Sequence, residues 1–509
     1  MEKTAAVKLE NITKTFGSVV ANDNVNMTIY NGEILAILGE NGSGKTTLMN
    51  MLSGIYFPDG GKIYINGKEE LIASPKDSFR LGIGMVHQHF KLIDVLSATE
   101  NIILGLEGKL NVKEASEKIK EICDKYGFDV DPNKKIYDMS VSEKQTVEIV
   151  KVLYRGANIL ILDEPTAVLT PQETEKLFNV LRNMREDGKA IVIITHKMHE
   201  VQSLSDRVCV LRKGQYIGDM MTKDTTVQEM TDMMVGRSVT LNIERPEPVN
   251  PKPRIKVSNL TVVNEEGITK LEDISFTANS GEILGIAGIS GCGQKELLEA
   301  IAGLQPVQSG SVEYINDDDS VEELLGKDPR KIAEMGVSLS FVPEDRLGMG
   351  LVGNMDLTNN MLLRSFRSKR FFTDKKDPKS LAESVVENLE VVTPSIETPV
   401  RRLSGGNVQK VLVGREIASA PTVLLTAYAV RGLDINSSYT IYDLINQQKK
   451  AGVAVIFVGE DLDVLLELSD KILVLCGGKV SGIVDGKTAD KNEVGLMMTK
   501  IGGADNEGK

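Results

Sequence analysis

A glycine-rich segment near the start of the chain has the residue types and spacing of a phosphate-binding loop. Residues 39–46 read GENGSGKT, which fits the pattern G-x-x-x-x-G-K-[ST]. Small residues let successive backbone amides point towards phosphate oxygens, and a helix that begins at the loop adds positive potential. Lys45 is expected to reach the β- and γ-phosphates of a nucleotide, and the Thr46 hydroxyl to ligate Mg²⁺. The segment therefore predicts a site for a nucleoside triphosphate with its metal ion.

Two carboxylates at the end of an apolar run complement this loop. Residues 158–166 read NILILDEPT, a buried strand that ends in Asp163 and Glu164. In open α/β sheets the ligand lies at the carboxyl ends of the strands, which is where these two side chains fall. Asp163 is expected to hold Mg²⁺ through water, and Glu164 to orient or deprotonate the attacking water. The alternative, an ordinary acidic turn before Pro165, is disfavoured by the phosphate loop.

The loop occurs twice. Residues 288–297 read GISGCGQKEL and have the glycine spacing of GENGSGKTTL, 249 positions earlier. A second segment, MSVSEKQTVEIVKVL from Met139, returns 264 positions later as LSGGNVQKVLVGREI from Leu403. Aligned segments at nearly constant spacing predict a duplicated domain. We predict a first domain at 1–245, a proline-rich linker at 246–253, a second domain at 254–503 and a frayed tail at 504–509.

The elements that would position these residues alternate along the chain. Strand-like apolar runs such as ANILILD and AIVIIT are separated by helical stretches, which predicts an α/β fold with a mainly parallel sheet covered on both faces. The stretch EASEKIKEICDKYG places Ile119, Ile122 and Tyr126 on one helical face. That spacing is typical of a helix that packs on a core.

Bulk properties limit the class of protein. A chain of 509 residues, with 41% hydrophobic and 26% charged residues, has the composition of a globular protein of two or three domains. The net charge of −13 argues against tight binding to a nucleic-acid backbone. The four scattered cysteines form no CxxC pair and are typical of reduced cytosolic residues. Since no apolar run approaches the roughly 20 residues of a membrane span, any action at a membrane is expected from the cytosolic side, against another chain.

Together these segments resemble the ATP-binding subunits of ABC transporters, specifically the fused two-domain type that serves importers of simple sugars and nucleosides. The resemblance covers both halves and implies two tandem P-loop ABC nucleotide-binding domains, each with a RecA-like core, a β-subdomain and a helical subdomain. In MVHQHF, Gln88 matches the Q-loop glutamine, which in the family senses Mg²⁺ and faces the membrane subunit. In VIITHK, His196 matches the switch histidine that contacts the γ-phosphate. Phe16 in NITKTFG matches the aromatic that stacks on adenine.

The resemblance assigns roles to a larger set of residues. Catalysis is expected from Lys45, Gln88, Glu164 and His196, and Mg²⁺ ligation from Thr46, Gln88 and Asp163. Nucleotide contacts are expected from the base platform, the phosphate loop and the signature segment, namely Phe16, Gly39, Asn41, Gly42, Ser43, Gly44, Lys45, Thr46, Thr47, Ser404, Gly405 and Gly406. A zinc site at the histidines is the weaker alternative, because neither histidine pair has cysteine or acidic partners at ligand spacing.

The signature segment differs between the halves. In the family it binds the γ-phosphate of the nucleotide that the opposing domain holds. The second domain keeps it as LSGGN from Leu403, whereas the first has MSVSE from Met139. Ser140 and Glu143 are still expected to form a capping box, so the helix should start normally.

Other motifs are altered in the second domain. Gln294 replaces the loop lysine and Lys295 the hydroxyl, Ala427 and Tyr428 replace the acidic pair, and Glu344 and Glu460 stand at the Q-loop and histidine positions, although Asp434 restores the D-loop. Loss of one charge-stabilising contact typically costs about 3 to 4 kcal/mol, or 10² to 10³ in rate. We therefore predict one hydrolytic site per chain, which joins the first-domain motifs to the second-domain signature. Nucleotide binding without hydrolysis at the other site is left open.

The function implied by the resemblance is that of an ATPase that energises nucleoside import, with a simple sugar such as ribose or galactose as the alternative solute. Expected partners are two integral-membrane permease subunits and, indirectly, an extracytoplasmic solute-binding protein, but no nucleic acid. The protein is expected at the cytoplasmic face of the membrane, as a peripheral subunit. A soluble twin-cassette ATPase that acts on ribosomes or DNA is disfavoured by the short linker, the acidic chain and the degenerate site.

Overall fold

The computed structural model describes residues 4–499 except 18, 89, 107–110, 168, 196, 237–242, 265–266, 290, 342–349, 366–374, 419–420, 432, 434 and 460. Contacts between Cα atoms divide the chain into two units, residues 1–240 and 241–509. Among the described residues, none of the helices has both the length and the apolar character that a membrane span requires.

The first unit contains two sheets. Its strands are β1 (Ala5–Phe16), β2 (Val19–Tyr30), β3 (Ile34–Leu38), β4 (Gly60–Ile65), β5 (Lys68–Glu69), β6 (Ile83–Val86), β7 (Ile159–Asp163), β8 (Ala190–Ile194), β9 (Arg207–Arg212) and β10 (Gln215–Met221). The larger sheet has the order β10-β9-β3-β8-β7-β6 and is parallel except for β10. The smaller sheet, β2-β1-β4-β5, is antiparallel.

Burial explains why the central strands read as continuous apolar runs. Every residue of β3, β7 and β8 is buried, as in a parallel sheet that is covered on both faces. The covering helices and their neighbours are α1 (Lys45–Leu52), α2 (Pro75–Arg80), α3 (Ala98–Ile103), α4 (Val112–Tyr126), α5 (Val141–Tyr154), α6 (Pro171–Glu186), α7 (Met198–Leu204) and α8 (Val227–Val235). The predicted α/β fold with a mainly parallel sheet is thus confirmed.

Helices α3, α4 and α5 form a helical layer with a core of its own. Ile102, Ile119 and Val147 are fully buried in it, and Ile122 packs against it partly buried. Burial of one such aliphatic side chain contributes about 1.5 to 3 kcal/mol. The helical face predicted around Ile119 therefore packs on a core, as its spacing indicates.

The second unit repeats this plan. Its strands are β11 (Pro253–Val263), β12 (Thr269–Asn279), β13 (Ile283–Gly288), β14 (Ser309–Ile315), β15 (Val321–Glu323), β16 (Val337–Phe341), β17 (Val423–Ala427), β18 (Ala454–Val458), β19 (Lys471–Cys476) and β20 (Lys479–Asp485). Its helices are α9 (Gln294–Ile301), α10 (Pro329–Glu334), α11 (Leu357–Ser365), α12 (Lys376–Asn388), α13 (Gly405–Ile417), α14 (Ile435–Lys450), α15 (Leu462–Leu468) and α16 (Lys491–Met497). The sheet orders, β16-β17-β18-β13-β19-β20 and β12-β11-β14-β15, match those of the first unit strand for strand. The two units therefore have the same topology, as the repeated segments predict.

The segment that joins the units packs on the second unit. Ile243 is buried in the core of that unit, and Arg245 donates hydrogen bonds to the carbonyl oxygens of Leu466 (3.0 Å) and Ser469 (2.7 Å). The division between units thus falls before the predicted linker. The reason is that the residues just before the linker, Ile243 and Arg245, pack on the second unit. The domain limits 1–245 and 254–503 stay a prediction, and the tail at 504–509 lies outside the described residues.

Candidate functional site

The phosphate loop lies between β3 and α1, at the carboxyl edge of the larger sheet. Gly44, immediately before α1, has φ +96°, and a Cβ there would meet the carbonyl oxygen of Ala21. A Cβ on Gly39 would meet the carbonyl oxygen of Leu211. Both positions therefore require glycine. In the part of the chain that the structure describes, no side chain caps the first turn of α1, so its amide groups are available to an anion.

Lys45 is buried within this loop. Its ammonium donates hydrogen bonds to the carbonyl oxygens of Gly39 (2.6 Å) and Glu40 (3.0 Å). Burial lowers the pKa of the Lys45 ammonium, and the carboxylates of Glu164, Asp163 and Glu40 partly oppose this effect. A buried cation that, among the described residues, donates to carbonyls of its own loop is well placed to attract phosphate oxygens.

The remaining predicted loop residues differ in exposure. Asn41, Gly42 and Thr46 are exposed, and Thr47 is half-buried. The Ser43 hydroxyl is buried and has no hydrogen-bond partner among the described residues. An orphaned buried hydroxyl beside free helix amides fits a loop that takes an anionic group.

Thr46 and Asp163 bring two hard oxygen atoms together. The Thr46 hydroxyl donates to the Asp163 carboxylate at 3.3 Å, across the gap between α1 and the end of β7. Burial raises the pKa of the Asp163 carboxyl, and the neighbouring Glu164 carboxylate raises it further, while Thr46 and Lys45 lower it. A hydroxyl and a partly desolvated carboxylate are ligands that suit a hard divalent cation. The residues present fit such an ion.

Glu164 begins a turn with a strained backbone. Its φ is +48°, which costs a residue with a Cβ about 1 to 2 kcal/mol, and its amide donates to the Ile194 carbonyl at 2.9 Å. The Gln88 amide donates to the Glu164 carboxylate at 3.1 Å. The structure therefore brings Gln88 and Glu164, which are 76 residues apart, into direct contact at the edge of the sheet.

The turn after Glu164 is held by residues that no sequence motif singles out. Thr166 donates its hydroxyl hydrogen to Glu200, and Lys197 donates to the Thr166 carbonyl at 3.1 Å. Lys197 also pairs with Glu200 at 3.1 Å. This network ties the acidic turn to the start of α7. No spacing rule links 166 to 200, so only the fold could reveal it.

Phe16 is an exposed aromatic at the end of β1, with 44% of its surface accessible. Its ring meets the edge of Tyr56 at a centroid distance of 5.2 Å and an interplanar angle of 71°, and the Lys14 ammonium lies 5.4 Å from its centroid. Sequence reasoning missed Tyr56 and Lys14. The exposed apolar run Ile55–Phe57 was the available signal for Tyr56.

The second phosphate loop has a neutral amide where the first has its cation. The buried Gln294 amide donates to the Ile289 carbonyl at 3.2 Å, the position at which Lys45 bonds Glu40 in the first loop. Lys295 is half-buried, and its ammonium lies 3.6 Å from Glu299 on α9. Ala427 ends β17 and Tyr428 follows it, at the positions where the first unit has its two carboxylates. The chemical groups of the first loop are thus absent at the described positions of the second.

The two signature helices start differently. Ser140 and Glu143 form the predicted capping box, because Ser140 accepts from the Glu143 amide (3.2 Å) and Glu143 accepts from the Ser140 amide (2.7 Å). The Ser404 hydroxyl instead accepts from the side chain of Asn407 at 2.9 Å and, within the described residues, caps no backbone amide. The first amides of α13, which include those of Gly405 and Gly406, are therefore not occupied by a serine cap.

The first unit thus brings Lys45, Thr46, Gln88, Asp163 and Glu164 to one edge of its sheet. Ser404, Gly405 and Gly406 lie in the second unit. The predicted residues His196, Glu344, Asp434 and Glu460 lie outside the described residues.

The chain is similar to known proteins along its whole length. The family described as "ABC transporter" matches residues 22–167 and 271–426. Over the full length of both proteins, the chain is 41% identical to the nucleoside import ATP-binding protein NupA of Lactococcus lactis subsp. cremoris. It is 40% identical to the guanosine import ATP-binding protein NupO of Bacillus subtilis, with 97% of each chain covered. It is 38% identical to the glucose import ATP-binding protein TsgD13 of Haloferax volcanii, with 99% of this chain and 97% of that protein covered.

Proposed function

This chain belongs to the ABC transporter family, and from that membership we propose that it is the ATP-hydrolysing subunit of an importer that takes up nucleosides. The observation that carries the proposal is the cluster at the carboxyl edge of the first sheet. There Lys45 lies in the phosphate loop, Thr46 donates to Asp163, and Gln88 donates to Glu164. The second unit keeps the same turn but has Tyr428 in place of the carboxylate.

The proposed roles follow from the positions of these groups. Lys45 and the amides that open α1 hold the β- and γ-phosphates of ATP. Water attacks the γ-phosphorus while the bond to the β–γ bridging oxygen breaks, and ADP leaves with the electron pair of that bond. Glu164 accepts a proton from the attacking water, and Gln88 holds its carboxylate in place through the 3.1 Å hydrogen bond. Electrostatic stabilisation by Lys45 is the largest contribution expected from a single group.

A divalent cation completes the site, and we propose Mg²⁺. Thr46, Asp163 and Gln88 are the residues that would hold it, since each offers oxygen and the Thr46 and Asp163 oxygens already face one another. When bound, such an ion neutralises charge on the β- and γ-phosphates.

We further propose that Ser404, Gly405 and Gly406 bind the γ-phosphate of a nucleotide held by a first-unit loop. Support comes from the start of α13, where the serine hydroxyl caps no backbone amide of the described residues. Phe16 is proposed as the platform for adenine, because its ring is exposed and meets Tyr56, which follows the helix that the phosphate loop opens. His196 is proposed as the contact to the γ-phosphate on sequence grounds alone.

The test of hydrolysis uses a matched pair of variants in the assembled complex. Glu164→Gln should lower ATP turnover by about 10² to 10³, because the neutral amide cannot accept the proton from water. Tyr428→Phe changes the equivalent position of the second unit and should leave turnover within about twofold. Unchanged turnover in Glu164→Gln would reject the proposed site. Loss of turnover in Tyr428→Phe would reject the single-site asymmetry.

The proposed partners are two permease subunits in the membrane and a solute-binding protein outside it, with this chain at the cytoplasmic face. Support for nucleosides as the solute comes from the relatives, two of which are named for nucleoside or guanosine import. Glucose import stands in the name of a third, so a simple sugar is the second candidate. Uptake of labelled guanosine and of labelled ribose or glucose, each compared between wild-type cells and cells that lack this chain, separates the two. Loss of sugar uptake with intact nucleoside uptake would favour the sugar.

A further inference from the structure

The short segment that follows Gln88 is tied to the signature helix α5 at Lys91, through both the amide and the carbonyl of that residue. The Lys91 amide donates to the Glu148 carboxylate at 2.6 Å, and the Lys91 carbonyl accepts from the Lys151 ammonium at 3.3 Å. Glu148 and Lys151 lie 3.7 Å apart, and their side chains are only 8% and 18% exposed. Such partly desolvated charged contacts are stronger than exposed ones.

A second helix holds the same segment two residues further along. The Ile93 amide donates to the Asn101 side chain at 2.7 Å, and the Asn101 amide donates back to the Ile93 carbonyl at 3.0 Å. Asn101 lies on α3 and is 1% exposed. Residues 91–93, the tied segment of the first unit, are therefore anchored to two helices of the helical layer.

The second unit repeats the tie to the carbonyl and the two asparagine ties at the corresponding segment, residues 350–352. Arg415 on α13 donates to the Gly350 carbonyl at 3.0 Å. The Asn360 side chain accepts from the Val352 amide at 2.9 Å and donates to the Val352 carbonyl at 3.2 Å. In the aligned repeat, Arg415 corresponds to Lys151 and Asn360 corresponds to Asn101.

The cation of the second unit, Arg415, pairs with a carboxylate from a different helical position. Leu412 stands where α5 has Glu148, so the carboxylate that would balance the cation is missing from that position. Glu416 supplies it instead, 2.7 Å from the Arg415 guanidinium, and both side chains are almost fully buried. A buried ion pair is expensive to desolvate. The second unit therefore has a cation–carboxylate pair at this place, although the carboxylate comes from a different helical position.

The second unit has no lysine at the position of Lys45 and no carboxylate at the end of β17, so these ties do not serve hydrolysis at the second unit's own phosphate loop. We propose that Lys151 and Arg415, together with Asn101 and Asn360, are positioning residues that fix each tied segment to its signature helix. Gln88 and the helical layer then move as one body. Ile93 and Val352, in the tied segments, are 44% and 42% exposed, so this movement reaches an apolar surface. The inference rests on the proposed import function.

The experiment compares coupling with hydrolysis in the complete transporter. Lys151→Met and Arg415→Met should reduce solute-stimulated ATP turnover and uptake at least tenfold. Hydrolysis without solute and the KM for ATP should stay within about twofold of wild type. The exchanged cations, Lys151→Arg and Arg415→Lys, keep a donor at each carbonyl and should restore most of the coupling. A merely structural role would lower both rates together and would not separate them.

Normal solute stimulation in both methionine variants would overturn the inference. Should those variants fail to fold, hydrogen exchange of the wild-type complex decides the matter. The Lys91 and Ile93 amides should stay protected with and without ATP, and rapid exchange in either state would overturn the tie. These outcomes differ from failure of the proposed function, in which the wild-type complex itself shows no ATP-dependent uptake.

Discussion

Glu164 and Tyr428 occupy matching turns in the two units and share a left-handed backbone conformation, with φ of +48° and +56°. Each amide donates to the end of a neighbouring strand, at the Ile194 carbonyl (2.9 Å) in one unit and the Val458 carbonyl (3.1 Å) in the other. The second unit has kept this conformation although its carboxylate is gone. The strain therefore belongs to the strand-to-turn connection and not to the hydrolytic group.

Backbone strain at Glu164 predicts an order of stability between two inactive variants. Glu164→Gly and Glu164→Ala both remove the carboxylate, but only glycine adopts a positive φ without a steric cost. We expect the glycine variant to be more stable by about 1 kcal/mol, measured as the free energy of unfolding of the nucleotide-free chain. An alanine variant as stable as the glycine variant would mean that the turn relaxes when the side chain is shortened.

The Asp163 carboxylate is expected to oppose folding in the absence of ligand. Because its pKa is raised in the folded chain, the penalty is complete above the raised pKa and disappears below its ordinary value of 3.8. Asp163→Asn should therefore stabilise the nucleotide-free chain near neutral pH, and the gain should shrink as the pH falls towards about 4. Denaturant unfolding at several pH values measures this.

Asp187 provides the control of opposite sign. Hydrogen bonds from Lys125 (2.8 Å) and Tyr126 (2.6 Å) lower the pKa of its carboxyl. It therefore stabilises the fold above its ordinary pKa, and this contribution is lost as the pH falls through the lowered one. Asp187→Asn should destabilise the chain at neutral pH. Two variants that shifted stability in the same direction would contradict the assignment.

The two signature serines are expected to differ in what they support. Ser140 caps α5 through its capping box, so Ser140→Ala should cost about 0.5 to 2 kcal/mol of stability with little effect on hydrolysis. Ser404 does not cap a described backbone amide, so Ser404→Ala should cost less stability but lower ATP turnover by about 10² or more. Thermal unfolding and ATPase assays of both variants give the comparison. The reverse order in either assay would contradict it.

Tyr56 is expected to hold Phe16 in the orientation that receives the base. An edge-to-face aromatic pair contributes about 0.5 to 1.5 kcal/mol beyond the area that it buries. Tyr56→Ala should therefore raise the KM for ATP about two- to tenfold and leave kcat unchanged, while Tyr56→Phe keeps the ring and the wild-type KM. Equal effects of both substitutions would indicate that the hydroxyl, and not the ring, matters.

Much of the fold was predictable because the signals are local. The glycine spacing of the phosphate loop depends on backbone angles and close approach, and both requirements are met at Gly39 and Gly44. The buried strand β7 is apolar up to its last residue, Asp163, so its end could be placed at the carboxyl edge before the sheet was known. The capping box of Ser140 and Glu143 involves residues three apart and needs no tertiary information.

Contacts between distant segments were not predictable in the same way. Tyr56 against Phe16, and Lys197 against Thr166, depend on side-chain directions that no period in the sequence records. The replacement of Glu148 by Glu416 as the partner of a helical cation is a further case, because the compensation is visible only where the side chains meet.

The sequence by itself determined that this is a duplicated ATP-binding protein with one intact phosphate loop, since those residue types and spacings are dictated by backbone geometry and phosphate chemistry. Only the tertiary structure decided which groups face one another: Gln88 with Glu164, Thr46 with Asp163, and Lys151 with the Lys91 carbonyl. The reason is physical. A local motif is specified by torsion angles of neighbouring residues, whereas a contact across the sheet depends on how whole strands and helices pack.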